Sequence, residues 1–551
     1  PSEPVDDPVS AAPNPARGSA SGGRGARLRA ELLLLGGLAL VALAQLDLAP
    51  VVTMEGIVGA GARHMLREGS WAVPQLYGEL YTFKPPLAYW LVAASFQLLG
   101  ETVLALRLPF ALMAVLGPWI GARVLAPVIG FQRAAWAAFA GATGVLTMQK
   151  VRIAEFDGLL AAGLGVAILA SAVQLAAPVS SPRRWLLVGA GFTVGFLAKG
   201  APAVGFFVPG LLAAAWATGG LRRLVQPTAC LAWALSLAAI GAWALMAWQD
   251  AGAAAFAQPL AEGSERAAAW SVERLLTALT APLAVLLLFA PWSLALPLVR
   301  IQGDDQERAL RRALLAFVVA GTVVFMLVPR TSLRYLLPLA APIGALVALQ
   351  LTGPPAGRIR LRALGLLSPI TGGLGLAAAL GAFGTHLPPS ARALCLLLSL
   401  PALALTARSL RQRRWLPEGS LGAASLASCA LALCGAVAYG TDLRRAERRS
   451  MVGTASELAP LLAEGEVLHV DWFDTHSNLH FLLDHPWRRF EVNGSWPGAG
   501  QLVLLTLRQA DAASAGAAPP LEELVRTTSG RTRFLLARVL HEGVPVPSEE
   551  R

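Results

Sequence analysis

The chain has 551 residues, of which 55% are hydrophobic and only 14% are charged, and its mean hydropathy is +0.57. This composition excludes a soluble domain and is typical of a membrane protein. The net charge of +11 therefore reports orientation in the membrane, and no nucleic-acid partner is predicted from it. All four cysteines lie within apolar runs, so they predict neither disulfides nor a metal site.

The first 30 residues are rich in proline, glycine, serine and alanine, and they are predicted to form a disordered cytoplasmic N-terminus, residues 1–30. The first apolar run, 31–49, lacks the cleavage pattern of a signal peptide and is predicted to remain as an anchor. Further runs of roughly 17–22 residues are long enough to cross the bilayer as helices. They lie near 108–123, 134–149, 158–175, 185–198, 202–218, 228–248, 276–298, 313–328, 335–351, 364–384, 392–407 and 419–439.

Arginines mark alternate connections between these spans. By the positive-inside rule, the arginine-rich connections are cytoplasmic, and the other connections and the tail after Tyr439 are periplasmic. The arginines of the cytoplasmic set are Arg123, Arg133, Arg183, Arg184, Arg222, Arg223, Arg300, Arg308, Arg311, Arg312, Arg358, Arg360, Arg362, Arg408, Arg411, Arg413 and Arg414. The sequence thus predicts an α-helical polytopic membrane protein with about 13 transmembrane helices over 31–440 and a long first periplasmic loop at 50–107.

The predicted periplasmic connections hold most of the side chains that could take part in catalysis or in binding a charged substrate. These are Glu55, Lys84, Lys150, Asp157, Lys199, Glu262, Glu265, Arg330, Arg334 and Tyr335. Cations grouped with carboxylates at one membrane face favour a phosphate-bearing lipid as substrate, whereas a transporter is expected to place such groups near the midplane. For any single residue, the alternative is an ordinary polar helix end.

Lysine is rare in this chain. It occurs only at Lys84, Lys150 and Lys199, and the other 42 basic residues are arginine. A lysine ammonium is a compact point charge that suits a phosphate, so these positions are candidates for phosphate binding. The alternative is that they are remnants in an arginine-biased composition.

Two segments of the first loop are predicted to be helices on the bilayer surface. The stretch 59–69 is amphipathic, and 86–99 is apolar but short for a span. If 86–99 were nevertheless a span, every later connection would change sides and the arginine pattern would be lost.

The tail, residues 441–551, is predicted to be a small periplasmic α/β domain. Strand-like runs lie at 466–470, 501–505 and 534–539, and a short helix is predicted at 478–483. His476 and His480 have a spacing that could bind a metal, but no third ligand is placed, so a polar helix face is the preferred interpretation and no metal site is predicted.

Seven short motifs occur in order along the chain. They are Glu55-Gly56 with 62–71, Lys84–Leu91, Arg107–Pro109, Asp157 at the start of a span, Leu197–Gly200, Pro291-Trp292 and Arg334–Pro338. Together they resemble the GT-C membrane glycosyltransferases of family 39, in particular the aminoarabinose transferases that modify lipid A, which are relatives of the protein O-mannosyltransferases. Two positions depart from that family's pattern: Met54 stands where an aspartate is usual, and Phe83 where a glutamate is usual.

The resemblance implies a GT-C-like fold and a particular type of reaction. It implies transfer of a sugar from a polyprenyl-phosphate carrier, such as undecaprenyl phosphate, to a lipid, glycan or protein acceptor at the periplasmic face of the inner membrane, without a cofactor. Three other classes stay open: a catalytically inactive relative that binds polyprenyl lipids, a lipid or sugar transporter, and a structural assembly partner.

The chemistry of such a transfer assigns roles to the candidate residues. The leaving group is an anionic phosphate, which preorganised cations in a dry site stabilise, and Lys84, Arg330 and Arg334 are the first candidates, followed by Lys199. Tyr335 is a candidate hydrogen-bond donor. The acceptor needs a carboxylate as general base or orienting group, with Asp157 the first candidate and Glu55 the second. Simpler alternatives are an N-cap role for Asp157 and interfacial anchoring by Arg334 and Tyr335.

Overall fold

The protein is described here by a computed structural model, which covers residues 20–43, 46–47, 49–258, 272–328, 332–352, 450–471, 476–492, 495–514, 518–529 and 532–540. The helices of its first part are α1 Ala20–Leu43, α2 Thr53–Glu68, α3 Leu87–Leu99, α4 Val103–Ile129, α5 Phe131–Ala142, α6 Val145–Lys150, α7 Phe156–Ala176, α8 Pro182–Lys199, α9 Ala201–Ala217, α10 Pro227–Ala251, α11 Val272–Leu288, α12 Asp305–Leu327 and α13 Ala340–Thr352. Short 3-10 helices lie at Leu221–Val225, Trp292–Leu298 and Leu333–Leu339.

Helices occupy every predicted span that falls within the described residues. In that part of the chain, five segments are long and apolar enough to cross a membrane: Val103–Ile129, Phe156–Ala176, Pro227–Ala251, Asp305–Leu327 and Leu333–Leu351. The predicted spans 364–384, 392–407 and 419–439 lie outside the described residues, so the count of about 13 is not confirmed. The mostly helical, membrane-spanning class is confirmed.

Three boundaries differ from the predicted ones. Helix α1 begins at Ala20, within the stretch predicted to be disordered. Residues 26–30 are alanine, arginine and leucine, which favour helix directly ahead of the apolar run, whereas the glycines at 22, 23 and 25 do not explain the earlier start. The predicted span 134–149 is divided at Gly144, where the amide of Val145 instead donates to the carbonyl of Ala290. The predicted span 276–298 is divided before Pro291, which lacks the amide hydrogen that a continuous helix needs.

Helix α7 is the central helix of the bundle. Of its most apolar window, 89% is buried inside the protein, whereas the corresponding value for α10 is 17%, which places α10 at the outside. Small residues let neighbours approach α7 closely: a β-carbon on Gly163 would meet the backbone oxygen of Gly191 in α8 at 2.7 Å. Packing along the whole length of α7 therefore fixes the position of its first turn.

The two ends of the helix bundle differ in their charged residues. At one end, Arg133 and Arg311 both pair with Glu307 at the start of α12, and Arg223 donates to carbonyls at the end of α7. These arginines belong to the connections predicted to be cytoplasmic. The opposite end holds the start of α7, the end of α8 and the segment after α12, where the candidate site lies.

The C-terminal part is an α/β domain, as predicted. Its strands are β3 Leu468–Val470, β4 Trp487–Arg489, β5 Leu502–Thr506, β6 Leu521–Ser529 and β7 Thr532–Val539, and they form one sheet in the order β4-β3-β5-β7-β6. Strand β3 is parallel to β4 and β5, and β7 is antiparallel to β5 and β6. Its helices are α14 Val452–Leu458, α15 Ser477–Leu482 and α16 Leu507–Ser514, with a short 3-10 helix at Ala459–Leu461.

Helix α2 joins this domain to the membrane part. A β-carbon on Gly56 would meet the carbonyl oxygen of Ser477 at 2.2 Å, and one on Gly59 would meet the Phe481 ring at 2.5 Å, so only glycine permits this approach. Around the contact, the guanidinium of Arg67 donates to both carboxylate oxygens of Asp484 at 2.7 and 2.8 Å. That hydrogen bond lowers the pKa of Asp484.

A short hairpin in the first loop makes a second junction. Its strands are β1 Gln75–Leu76 and β2 Glu79–Leu80, and its tip residue Tyr77 has φ 56°, a conformation that non-glycine residues rarely adopt. The Tyr77 ring stacks on His480 with centroids 4.5 Å apart, and its carbonyl accepts from the amide of Arg489. These contacts offset the backbone strain and fix the hairpin to β4.

The glycine contact gives a direct test of this junction. Gly56→Val should destabilise the docking of the C-terminal domain by about 1–3 kcal/mol, because the added atoms have no space against Ser477. Limited trypsin digestion in detergent should then cleave faster at Arg63 and Arg67. The control is Gly205→Val in α9, where a β-carbon meets nothing within 4 Å. Equal digestion of the two variants would show that the close approach is not needed.

Candidate active site

A cavity of about 240 Å³ lies at the end of the bundle where α7 begins. Three elements supply most of its wall: the loop after the hairpin, the start of α7 and the segment after α12. Its lining residues are Met54, Tyr81, Phe83, Lys84, Glu155, Phe156, Asp157, Lys199, Arg334 and Tyr335. Four of the predicted phosphate-contacting residues and the first-choice carboxylate thus line one cavity.

Asp157 lies in the first turn of α7 and is held between two cations. One carboxylate oxygen accepts a hydrogen bond from the ammonium of Lys199, and the other lies 3.7 Å from Nε of Arg334. The side chains of Asp157 and Lys199 are 4% and 3% exposed, so this ion pair is shielded from water. The N-cap position of α7 is Glu155, so the alternative N-cap role for Asp157 is wrong.

Lys199 is the last residue of α8 and connects Asp157 with Tyr335. Its ammonium lies 3.9 Å from the centre of the Tyr335 ring, close enough for a cation–π interaction. Helix α8 ends here because Gly200 adopts φ 73°, a left-handed conformation. Lys199 is therefore bound from two sides, by Asp157 and by the Tyr335 ring.

Lys84 belongs to the loop that leaves the hairpin. Its ammonium donates to the carbonyl of Phe83 at 3.0 Å, and the side chain is half-buried in the cavity wall. The carboxamide of Gln258, beyond α10, binds the same loop: its oxygen accepts from the amide of Thr82 at 2.6 Å, and its nitrogen donates to the carbonyl of Leu80 at 3.1 Å. The position of Lys84 is thus set by the hairpin and by Gln258 in the segment after α10.

Sequence reasoning missed Glu155. Its carboxylate lines the cavity and accepts a hydrogen bond from the ammonium of Lys150 at 2.7 Å, and its side chain is 7% exposed. The only signal in the sequence was an acid two positions before Asp157 at the start of an apolar span. That signal is weak, because acids are common at helix N-termini.

Glu55 lies behind the cavity and not in its wall. Its two oxygens accept from Nε and Nη2 of Arg107, each at 2.7 Å, and from the amides of Val52 and Ala154, each at 3.0 Å. The side chain is 0% exposed. The structure therefore separates Glu55 from Asp157 and gives it a position suited to holding the loops, and its predicted catalytic role stays untested.

Several predicted residues fall elsewhere. Arg330, Glu262 and Glu265 lie outside the described residues. His476 and His480 belong to the C-terminal domain, and burial lowers the pKa of His480 to about 3, so its ring is neutral at physiological pH. Within the part of the chain that the structure describes, no group of three His, Cys, Asp or Glu side chains could hold a metal ion.

Comparison with known proteins gives consistent similarities. Residues 83–246 match the family model described as dolichyl-phosphate-mannose-protein mannosyltransferase. The chain is 28% identical over 351 residues to the undecaprenyl phosphate-alpha-4-amino-4-deoxy-L-arabinose arabinosyl transferase of Pectobacterium atrosepticum, covering 59% of this chain and 60% of that protein. The alignment therefore spans less than two thirds of the relative.

Solved structures give the fold. The chain superposes on the crystal structure of ArnT from Cupriavidus metallidurans in the apo state with a TM-score of 0.70 and 17% identity, covering 94% of this chain and 98% of that one. For the same protein bound to undecaprenyl phosphate, the TM-score is 0.68 at 17% identity, with the same coverage of both chains. These structural matches confirm the predicted GT-C-like fold. The resemblance to GT-C glycosyltransferases that the motifs predicted is confirmed by the family model and the arabinosyl transferase relative.

The position of Glu55 leads to a stability prediction. Glu55→Gln should lower the free energy of unfolding by about 3–5 kcal/mol, because it leaves the buried Arg107 charge without its partner. Thermal unfolding in detergent, followed by tryptophan fluorescence, measures the change. The control is Glu79→Gln, which breaks an ion pair with Arg489 whose acid is 45% exposed and should cost at most about 1 kcal/mol. If both variants unfolded at the same temperature, the buried Glu55–Arg107 pair would not contribute more to stability than the exposed Glu79–Arg489 pair.

Proposed function

We propose that the protein is a glycosyltransferase that moves a sugar from a polyprenyl-phosphate carrier to an acceptor at the end of the bundle that holds the cavity. The observation that carries this proposal is the convergence of Lys84, Lys199 and Arg334 on one cavity, next to two carboxylates. Such a set of charges suits an anionic leaving group on one side and a nucleophile on the other.

The chemistry needs mainly charge stabilisation. As the glycosidic bond breaks, negative charge grows on the phosphate oxygen, and cations already fixed in place stabilise it without reorganisation. Lys84 and Arg334 are the proposed phosphate ligands, since both line the cavity and Arg334 is 32% exposed. Tyr335 and Lys199 hold each other by their cation–π contact, and Asp157 positions Lys199 and Arg334 by pairing with both.

The comparisons support the substrate class. The curated relative is named for an undecaprenyl-phosphate sugar, and one similar crystal structure is of ArnT bound to undecaprenyl phosphate. We therefore propose a polyprenyl-phosphate-linked sugar, hexose or pentose, as donor. Lipid, glycan and protein acceptors are all compatible with the cavity chemistry.

The arginine pattern supports an orientation. The arginine-rich end of the bundle is proposed to face the cytoplasm, which puts the cavity and the C-terminal domain on the periplasmic side of the inner membrane. The donor phosphate would then lie at the membrane boundary, with its polyprenyl chain in the bilayer.

A second candidate function is a lipid-binding relative without transferase activity. The observation that favours it is Met54, which lines the cavity where a carboxylate is usual in the resembled family. A thioether neither accepts a proton from a hydroxyl nor binds a hard cation. Mass spectrometry of lipid extracts from cells with and without the gene distinguishes the two functions, because only a transferase adds a glycan.

The phosphate site can be tested by binding. Lys84→Ala and Arg334→Ala should each weaken binding of undecaprenyl phosphate by about 1.5–3 kcal/mol, the usual value for a charge-assisted hydrogen bond. Isothermal titration of the purified variants in detergent measures the loss. Arg308→Ala is the control, because its ion pair with Asp305 lies at the arginine-rich end. Unchanged affinity in both test variants would remove the donor phosphate from this cavity.

The orientation can be tested by reporter fusions. Alkaline phosphatase, which is active only in the periplasm, should be active when fused at Asp157 or after Asp442 and inactive when fused at Arg223 or Arg312. A green fluorescent reporter should give the reverse pattern. Alkaline phosphatase activity at Arg312 would reverse the proposed orientation and place the cavity in the cytoplasm.

A further inference from the structure

The proposed transfer needs a group that takes the proton of the acceptor hydroxyl. Two carboxylates, Asp157 and Glu155, line the cavity. Lys199 attracts both acids, but two cations lie within 4 Å of Asp157 and one lies within 4 Å of Glu155, and that difference decides which carboxylate can accept a proton more easily.

Asp157 is poorly suited to proton transfer. The ammonium of Lys199 binds one of its oxygens, and the guanidinium of Arg334 faces the other at 3.7 Å. A proton added to Asp157 would leave the buried Lys199 ammonium, and the Arg334 guanidinium beside it, facing a neutral group, which is costly for the buried charge. Its geometry is that of an organising anion.

Glu155 has the more suitable geometry. Its Oε2 accepts a hydrogen bond from the ammonium of Lys150 at 2.7 Å, whereas Lys199 attracts it without forming an ion pair within 4 Å, and the carboxylate lies in the cavity wall with only 7% of the side chain exposed. Lys150 is 15% exposed, more than Lys199, so water can solvate its ammonium when Glu155 is protonated. Protonation of Glu155 therefore costs less than protonation of Asp157. Met54, on the same wall, offers no basic atom.

We infer that Glu155 is the general base of the proposed transfer, an inference that rests on the proposed function. The acceptor hydroxyl gives its proton to a Glu155 oxygen while its own oxygen forms a bond to the anomeric carbon. The bond from that carbon to the phosphate oxygen breaks, and its electron pair stays on the phosphate. The products are the glycoside and polyprenyl phosphate, and the proton on Glu155 then passes to water.

The test uses the full chain in proteoliposomes. The probe donor is undecaprenyl-phosphate-linked 4-amino-4-deoxy-L-arabinose, with lipid A and water as alternative acceptors. Glu155→Gln keeps an oxygen that accepts from Lys150 but removes the base, so kcat should fall by about 10²–10⁴-fold while undecaprenyl phosphate binding changes less than about twofold. Asp305→Asn, an exposed acid at the other end of the bundle, is the control with wild-type kcat.

Two further readouts separate a base from a residue that only supports the fold. The acid limb of the wild-type pH–kcat profile should be absent in Glu155→Gln, and formate should restore part of the rate in Glu155→Ala, because it can take the place of the missing carboxylate. Asp157→Asn should behave differently, losing undecaprenyl phosphate affinity and gaining nothing from formate. If Glu155→Gln folds poorly, Glu155→Asp, which keeps the charge, should retain an acid limb.

The outcomes distinguish the two claims. A wild-type rate in Glu155→Gln, together with an active wild-type protein, overturns the assignment of Glu155 and leaves the proposed function standing. A wild-type protein that binds undecaprenyl phosphate but releases no sugar to either acceptor, together with identical glycans in extracts of cells with and without the gene, overturns the transferase function, and the base assignment with it.

Discussion

The buried ion pair between Glu55 and Arg107 is the constraint on which the arrangement of the site depends. Arg107 binds both oxygens of Glu55 and also donates to the carbonyls of Leu46, Ala49 and Pro50, while Glu55 accepts from the amide of Ala154. One hydrogen-bonded cluster thus joins four elements: α2, α4, the turn before α7 and the segment that follows α1. Because a buried charge is stable only when its hydrogen bonds are complete, these four elements keep one relative position.

That fixed turn determines where the cavity carboxylates point. Ala154, bound to Glu55, precedes Glu155 directly, so the anchored backbone sets the start of α7 and the directions of both acids. The cations come from elements that are anchored independently: Lys199 at the end of α8, Arg334 after α12, and Lys84 on the loop that Gln258 binds. The site is therefore assembled from helix ends and one anchored loop, which favours the preorganised charge that the proposed transfer requires.

The sequence predicted much of this because its signals were global. Alternating arginine clusters placed Lys84, Asp157, Lys199, Arg334 and Tyr335 at one membrane face, and all five line one cavity. Prediction from the sequence failed in two situations: where the important contact joins residues that are far apart in the chain, and where a residue type is common at its kind of position. Nothing local pairs Glu55 with Arg107, 52 residues away, and Glu155 looked like an ordinary helix-start acid. Strands β4 and β6 were missed because two of the three residues of β4 are arginines and because β6 is mostly polar.

The docking of α2 onto α15 has a consequence for biosynthesis. Arg63 and the Phe481 carbonyl that it binds are separated by 418 residues, so α2 leaves the ribosome long before its partner exists. At elongation rates of about 5–20 residues per second, the delay is roughly 20–80 s. During that interval, the glycine face of α2 has no covering, and the hairpin that carries Lys84 lacks its attachment to β4. A polypeptide interrupted before the C-terminal domain would lack both contacts, so we expect the proposed sugar transfer only from chains translated through β4.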